Sequence, residues 1–202
     1  VTGKSKFKSF CALVICLAFL ASFTVFISSP PVSAGAPRAV GNPVPKGGAN
    51  PIASGWYQSF ALKGDGTAWA WGYNTVGQLG DGTTTTRLTP VKVLGMDNAV
   101  AVVSGWGHSL ALRGDGTVWA WGWNSSGQLG DNTTTERHAP VRVQGLENVV
   151  AVACGLDHSL AVRGDGTVWA WGANEYGQLG DNTTDNRHTP VRVLGIENAV
   201  AI

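Results

Sequence analysis

Histidine is the side chain best suited to proton transfer or metal ligation near neutral pH, and this chain has four. They fall into two pairs, His108 with His158 and His138 with His188, each spaced by fifty residues. Equal spacing means that each pair marks one position in a repeated unit. Neither pair has a third group at a spacing that builds a zinc site or a nucleophile with its base. His108 and His158 stand where a strand begins after a glycine-containing turn, so the expected role is a structural hydrogen bond to a neighbouring turn.

The carboxylates follow the same logic. Asp65, Asp115 and Asp165 each lie inside "GDG", where aspartate tolerates turn geometry and bonds its own backbone. Two copies read "RGD", at Arg113 to Asp115 and Arg163 to Asp165, like the integrin-recognition tripeptide; the first copy reads Lys63-Gly64-Asp65. Turn chemistry already accounts for the Gly and Asp. Asp81, Asp131 and Asp181 occur once per Thr-rich loop, short of the about six to eight oxygens that calcium takes. Cys154 is the one cysteine outside the N-terminal stretch, and its expected role is that of a small buried apolar residue. No phosphate-cradling motif is present. The expectation is a protein that is not an enzyme, with no catalytic residues, no metal and no cofactor.

The elements that carry these residues come from the repeat. "GDGT" begins at Gly64, Gly114 and Gly164, and "GQLGD" at Gly77, Gly127 and Gly177. Gly105 to Glu147 matches Gly155 to Glu197 at 32 of 43 positions, so the two must share one structure. The composition, 44% apolar and 13% charged with 28 Gly and 9 Trp, favours strands joined by tight turns. In the third unit "NVVAVAC" (148–154) and "HSLAVR" (158–163) read as strands, and "GDG" reverses the chain into "TVWAWG" (167–172). A fourth strand, "PVRVLG" (190–195), is expected to begin at Pro190, where no ladder N–H is needed. Trp169 and Trp171 share one face, while Val168, Ala170 and Gly172 take the other. Sheets of this kind stack face to face, the indoles of one unit filling space left by Ala and Gly of the next. Four short strands per fifty residues define a propeller blade.

"VACGLDHSLAV" (152–162) and "WGANEYGQLGDNT" (171–183) resemble the repeat of the regulator of chromosome condensation (RCC1) family. The resemblance spans about 50–202 and implies an all-β propeller fold. The first unit departs from it, with Gln58 in the place of His108 and His158 and with Pro51 interrupting its opening strand. Complete blades are expected at about 48–97, 98–147 and 148–197, with 198–202 as the first strand of another. Propellers close with about four to eight blades. Three make an open arc whose apolar ends invite self-association. The expectation is either that the chain is an incomplete version of a longer one or that copies assemble into a ring.

Lys4, Lys6 and Lys8 precede an apolar run from Phe10 to Ile27, with small residues at Val32 and Ala34, the pattern of a signal peptide covering 1–34. An uncleaved anchor is the alternative, and only then would a membrane be a partner. Residues 35–49 are Pro- and Gly-rich and read as a linker. Val1 in place of Met suggests a bacterial gene with an alternative start codon, or a clipped chain. Cleavage after Ala34 removes three lysines and no acids, changing the formal charge from +1 to −2. That leaves no basic footprint for nucleic acid.

What differs between units sits at loop tips, where binding residues can vary on a fixed frame. Trp56, Tyr57, Tyr73, Trp106, Trp123 and Tyr176 are aromatics of the kind that anchor interfaces. Filling gaps at blade ends is their alternative role. The expected function is an exported scaffold that binds a protein, either secreted or at the cell surface. The alternatives are a structural or adhesive module of a larger surface protein and a lectin-like ring. The resemblance also implies relatives: a nuclear exchange factor for a small GTPase and a secreted bacterial β-lactamase inhibitor that binds through aromatic loop residues. Exchange activity is not expected, because the matched motifs contain no exchange residues and export argues against it.

Overall fold

β-branched and aromatic runs punctuated by glycine become strands throughout the computed structural model, which describes residues 52–202. The signal-peptide and linker readings, 1–34 and 35–49, lie outside the described residues, as does Pro51. Twelve strands form three four-stranded antiparallel sheets that do not close into a ring. The first comprises β1 (Ile52–Ser54), β2 (Gln58–Leu62), β3 (Ala68–Gly72) and β4 (Arg87–Lys92). The second comprises β5 (Ala99–Ser104), β6 (His108–Arg113), β7 (Val118–Gly122) and β8 (Arg137–Arg142). The third comprises β9 (Val149–Cys154), β10 (His158–Arg163), β11 (Val168–Gly172) and β12 (Arg187–Arg192). Each sheet is a meander in sequence order, the blade expected from the fifty-residue repeat.

Two details differ from the sequence reading and one follows it. The last strand of blade 3 begins at Arg187, and Pro190 lies within it. Proline is accommodated there because β12 is an edge strand and a register shift between Ala170 and Gly172 interrupts the ladder. β1 has only three residues, against six in β5 and β9, as the proline before it suggests. Residues 198–202 form no strand. An opening strand pairs with the second strand of its own blade, as β9 does with β10, and no such partner lies beside 198–202. The segment still starts as the other units do, with Asn198 at φ 59° and the Ala199 amide donating to the Gly166 carbonyl at 3.0 Å.

Stacking is governed by one tryptophan per junction. Trp121 and Trp171 are wholly buried. The indole of each fills a notch in the preceding blade, which corrects the direction expected from the sequence. The Trp121 Nε1–H donates to the Gln78 carbonyl at 2.8 Å, and the Trp171 Nε1–H to the Gln128 carbonyl at 2.9 Å. The notch exists because Gly80 has no side chain and a φ of +69°; a Cβ there would stand 2.9 Å from the indole nitrogen. Gly130 repeats the arrangement at 2.8 Å. Around Trp121 close Phe60, Ala68, Ala70, Leu79, Val93 and Met96 of blade 1 and Val102 and Ala111 of blade 2. Phe60 meets Trp121 nearly edge-on, with ring centroids 6.0 Å apart.

Trp121→Ala leaves a cavity lined by two sheets and orphans an interblade hydrogen bond. It should cost about 3–5 kcal/mol in urea unfolding. Trp71→Ala, at the equivalent but partly exposed position, should cost markedly less; equal losses would contradict this account of the junction.

Candidate functional site

Antiparallel order puts two sets of turns at opposite ends of every blade. One end carries the "GDGT" hairpins. The other carries the short turn before β2, β6 and β10 and the long loop after β3, β7 and β11. All six aromatics singled out from the sequence lie at this second end.

They do not form one uniform set. In blade 1, Trp56 and Tyr57 stack edge-to-face at 6.0 Å, and Tyr57 meets Tyr73 at 6.0 Å. In blade 2, Trp106 and Trp123 meet at 6.3 Å. Trp56 is 63% exposed, Tyr57 65%, Tyr73 45% and Trp106 41%, whereas Trp123 is half-buried against Gly107. Val76 of blade 1 approaches the same glycine, a neighbourhood the sequence did not signal. Blade 3 breaks the series with exposed Leu156 and half-buried Asp157 and Ala173, and Tyr176 projects alone. Gap filling therefore describes Trp123, and surface display describes the other five.

The backbone beneath is rigid. The Tyr73 amide donates to the Tyr57 carbonyl at 2.9 Å, and the Trp123 amide to the Gly107 carbonyl at 2.8 Å, pinning each long loop to the opposite turn. Gly72 permits this contact: its φ is +110°, and a Cβ would collide with the Tyr57 carbonyl. Each long loop is then tied from within. In blade 2 the Asn124 side-chain amide donates to Asp131 and to the Thr133 and Thr135 carbonyls, and its oxygen accepts the Leu129 amide. Asp131 in turn accepts from the Thr133 hydroxyl at 2.6 Å and from Arg137 at 2.8 Å. Burial opposes its charge, but the Thr133 and Arg137 hydrogen bonds outweigh this and hold the carboxyl below its ordinary range. Both carboxylate oxygens are thus committed to the loop itself.

His108 is structural, with a partner other than the turn expected. His108 Nε2 lies 3.1 Å from Ser159 Oγ on the next blade, and that hydroxyl donates to the Gln128 carbonyl at 2.8 Å. The hydroxyl has one proton, so the imidazole Nε2 is the donor to it. Nδ1 has no partner among the described residues, and a proton placed there would be buried and unpaired. Burial accordingly lowers the His108 pKa to about 3. Gln58 crosses its own junction without a titratable group and to a different acceptor: it donates to Ser104 Oγ at 2.8 Å, not to Ser109, the counterpart of Ser159.

The hairpin end is equally committed. Arg163 lies over the Trp169 ring at 4.3 Å and donates to the Gly145 carbonyl at 2.8 Å. Asp165 accepts from the Thr167 hydroxyl and amide at 2.6 and 2.9 Å, which lowers its pKa. The "RGD" tripeptide is thus a turn with its arginine already engaged. An open concavity of about 600 Å³ beside it is lined by Gly145, Glu147, Asn148, Arg163, Gly164 and Asp165. Cys154 ends β9, packs against the core shared by blades 2 and 3, and has its thiol pKa raised by burial. Among the described residues no three His, Cys, Asp or Glu side chains group to hold a metal.

Four-stranded antiparallel blades, interlocked by Trp and Gly, define a protein of the β-propeller class. The chain belongs to the RCC1-like domain family, which it matches over residues 27–202. It is similar to human WBSCR16, with 27% identity and a TM-score of 0.61 over 70% of this chain and 38% of that one. It is also similar to Prp20p of Saccharomyces cerevisiae, with 28% identity and a TM-score of 0.61 over 70% of this chain and 37% of that one. The same yeast protein bound to Kap60 gives 29% identity and a TM-score of 0.62, over 70% and 36% of the two chains. The present chain thus spans little more than a third of these relatives.

The buried histidine predicts a pH dependence with a definite sign. The fold favours neutral His108, so its contribution is complete above the ordinary value of 6.5 and is lost as pH falls toward about 3. By pH 5 the loss should be about 2 kcal/mol. His108→Gln, which removes the titratable group, should flatten the change in urea midpoint between pH 7 and 5. A smaller slope should remain from His158, whose pKa burial also lowers. An unaltered slope in the variant would show that His108 is not its source. Separately, Asn124→Ala should loosen the loop of blade 2, seen as faster cleavage between Asn124 and Arg137 in limited proteolysis, with the β-sheet circular dichroism retained.

Proposed function

We propose that this chain is an exported, non-catalytic scaffold that binds a protein through the aromatic end of its blades. The observation that carries the reading is the joint exposure of Trp56, Tyr57 and Trp106 on the short turns and Tyr73 on the long loop, with each long loop pinned to its short turn by a backbone hydrogen bond. Large rings held in place lose little conformational freedom on binding, which is why such residues serve as anchors. The relatives support a protein ligand in kind. The yeast protein is described by its binding to Gsp1p and histones and has been seen bound to Kap60. Export rests on the basic start, the apolar run and the small residues before Gly35.

Selection of a displayed protein library on the wild-type chain tests the binding surface. Trp106→Ala and Tyr57→Ala should each weaken the selected binders tenfold or more, while Trp119→Phe at the hairpin end should not. Binders indifferent to both alanine variants would place recognition elsewhere, and retention of glycans without protein ligands would favour the lectin-like alternative. For export, expression in a bacterial host should yield extracytoplasmic protein whose first residue is Gly35.

A further inference from the structure

The hairpin end shows how this chain houses a cation. Lys63 lies 3.7 Å from the Trp69 ring centroid, and Arg113 and Arg163 lie 4.4 and 4.3 Å from those of Trp119 and Trp169. Each of these bases has an aspartate two residues on, Asp65, Asp115 or Asp165. The other bases at that end pair with acids as well: Lys92 with Asp97 at 2.8 Å, and Arg142 and Arg192 with Glu147 and Glu197 at 3.2 Å. Charge is balanced there, and each of those indoles already carries a cation of its own blade.

The aromatic end is not balanced. Its Lys and Arg side chains among the described residues are Arg87, Arg137 and Arg187, each bound to the aspartate of its own long loop at 2.7, 2.8 and 2.6 Å. Glu136, Asp157, Glu175 and Asp185 are left with no Lys or Arg partner among the described residues. Trp106 stands against them without a cation of its own: its amide donates to the Leu156 carbonyl at 3.2 Å, and Asp157 follows directly. A Cβ built at Gly107, the counterpart of Asp157, would meet Trp123 of its own blade and Val76 of the blade before. In blade 3 Ala173 replaces Trp123, which leaves room beside the carboxylate. Asp157 Oδ1 is buried and has no hydrogen-bond partner among the described residues. Burial raises its pKa, and the neighbouring His158 does not offset this. The exposures can be judged on blade 2, which has a described blade on either side. There Trp106 is exposed, and so are Ser125 and Thr135, the counterparts of Glu175 and Asp185.

Taking the aromatic end as the protein-binding end, on which this inference rests, we propose that the partner presents a lysine or arginine between blades 2 and 3. Its cationic head lies over the Trp106 ring and pairs with Asp157, while Glu136, Glu175 and Asp185 form an acidic rim. The arrangement of indole, cation and aspartate is the one the chain builds for itself in each of its three hairpins, here with the cation supplied from outside. Charge complementarity thus selects a basic segment over a neutral or acidic one.

Binders selected on the wild-type chain from a displayed protein library test this. Their contact residues should be rich in Lys and Arg. Asp157→Asn should weaken them about tenfold, as should changing the binder's own Lys or Arg to Gln. Both changes together should cost little more than either alone, because they remove one contact. Raising the salt from about 0.1 to about 1 M shortens the Debye length from about 10 to about 3 Å and should weaken wild type more than D157N. Asp165→Asn at the hairpin end should change nothing, and Asp157→Ser replaces D157N should that variant lose its near-UV circular dichroism. Binders that need Trp106 yet ignore D157N and salt would overturn the cationic partner and leave the protein-binding reading standing. Binders indifferent to both Trp106→Ala and D157N would overturn the two together.

Discussion

Three sheets with little charge and no crosslink between them hold together because each indole N–H finds a carbonyl in the blade before it. Trp121 and Trp171 bring large apolar surfaces into the junctions, but an indole carries a donor that cannot be buried unpaired without cost. The Gln78 and Gln128 carbonyls supply the acceptors, and the glycine two residues further on leaves room for the ring. Removing either part affects the other. A side chain at Gly80 would push the ring off its acceptor, and a smaller ring would leave the notch empty. Blade spacing thereby depends at each junction on the indole hydrogen bond and an absent Cβ, with a serine hydroxyl donating to the same carbonyl.

This arrangement separates the residues that stabilise the stack from the tips proposed for recognition. The junction residues lie within the sheets and in the "GQLGD" segment, while the aromatic tips lie beyond the strand ends. Asn74, Asp81 and Arg87 in blade 1, repeated as Asn124, Asp131, Arg137 and Asn174, Asp181, Arg187, hold the long loops by their own polar groups. Because the loop keeps its path without help from the tip residue, that residue is free to be Tyr73, Trp123 or Ala173. A frame of this kind suits the display of different surfaces on successive blades.

Much of the architecture was legible because the repeat writes it three times. Period, hairpins, blade count and the shared face of Trp169 and Trp171 follow from side-chain alternation and turn chemistry, which act over a few residues. The strand at Arg187 was read three residues late because Pro190 signals a strand start, yet an edge strand interrupted by a register shift tolerates proline inside it. Residues 198–202 carry the pattern of a strand without its pairing partner. The tie from His108 to Ser159 was invisible because its partners are 51 residues apart and belong to different sheets. Of the aromatic tips, the sequence marked the positions but could not tell exposed Trp106 from half-buried Trp123.

By itself, then, the amino-acid sequence determined what depends on local order: strands, tight turns, the fifty-residue unit, its all-β class and the positions where units diverge. Only the tertiary structure decided which blade receives the indole, that Gln58 and His108 each reach a serine of the next blade with different chemistry, and that the Asp81, Asp131 and Asp181 carboxylates are consumed by their own loops. Those outcomes depend on which atoms meet across sheets, a matter of three-dimensional distance to which side-chain periodicity along the chain is blind.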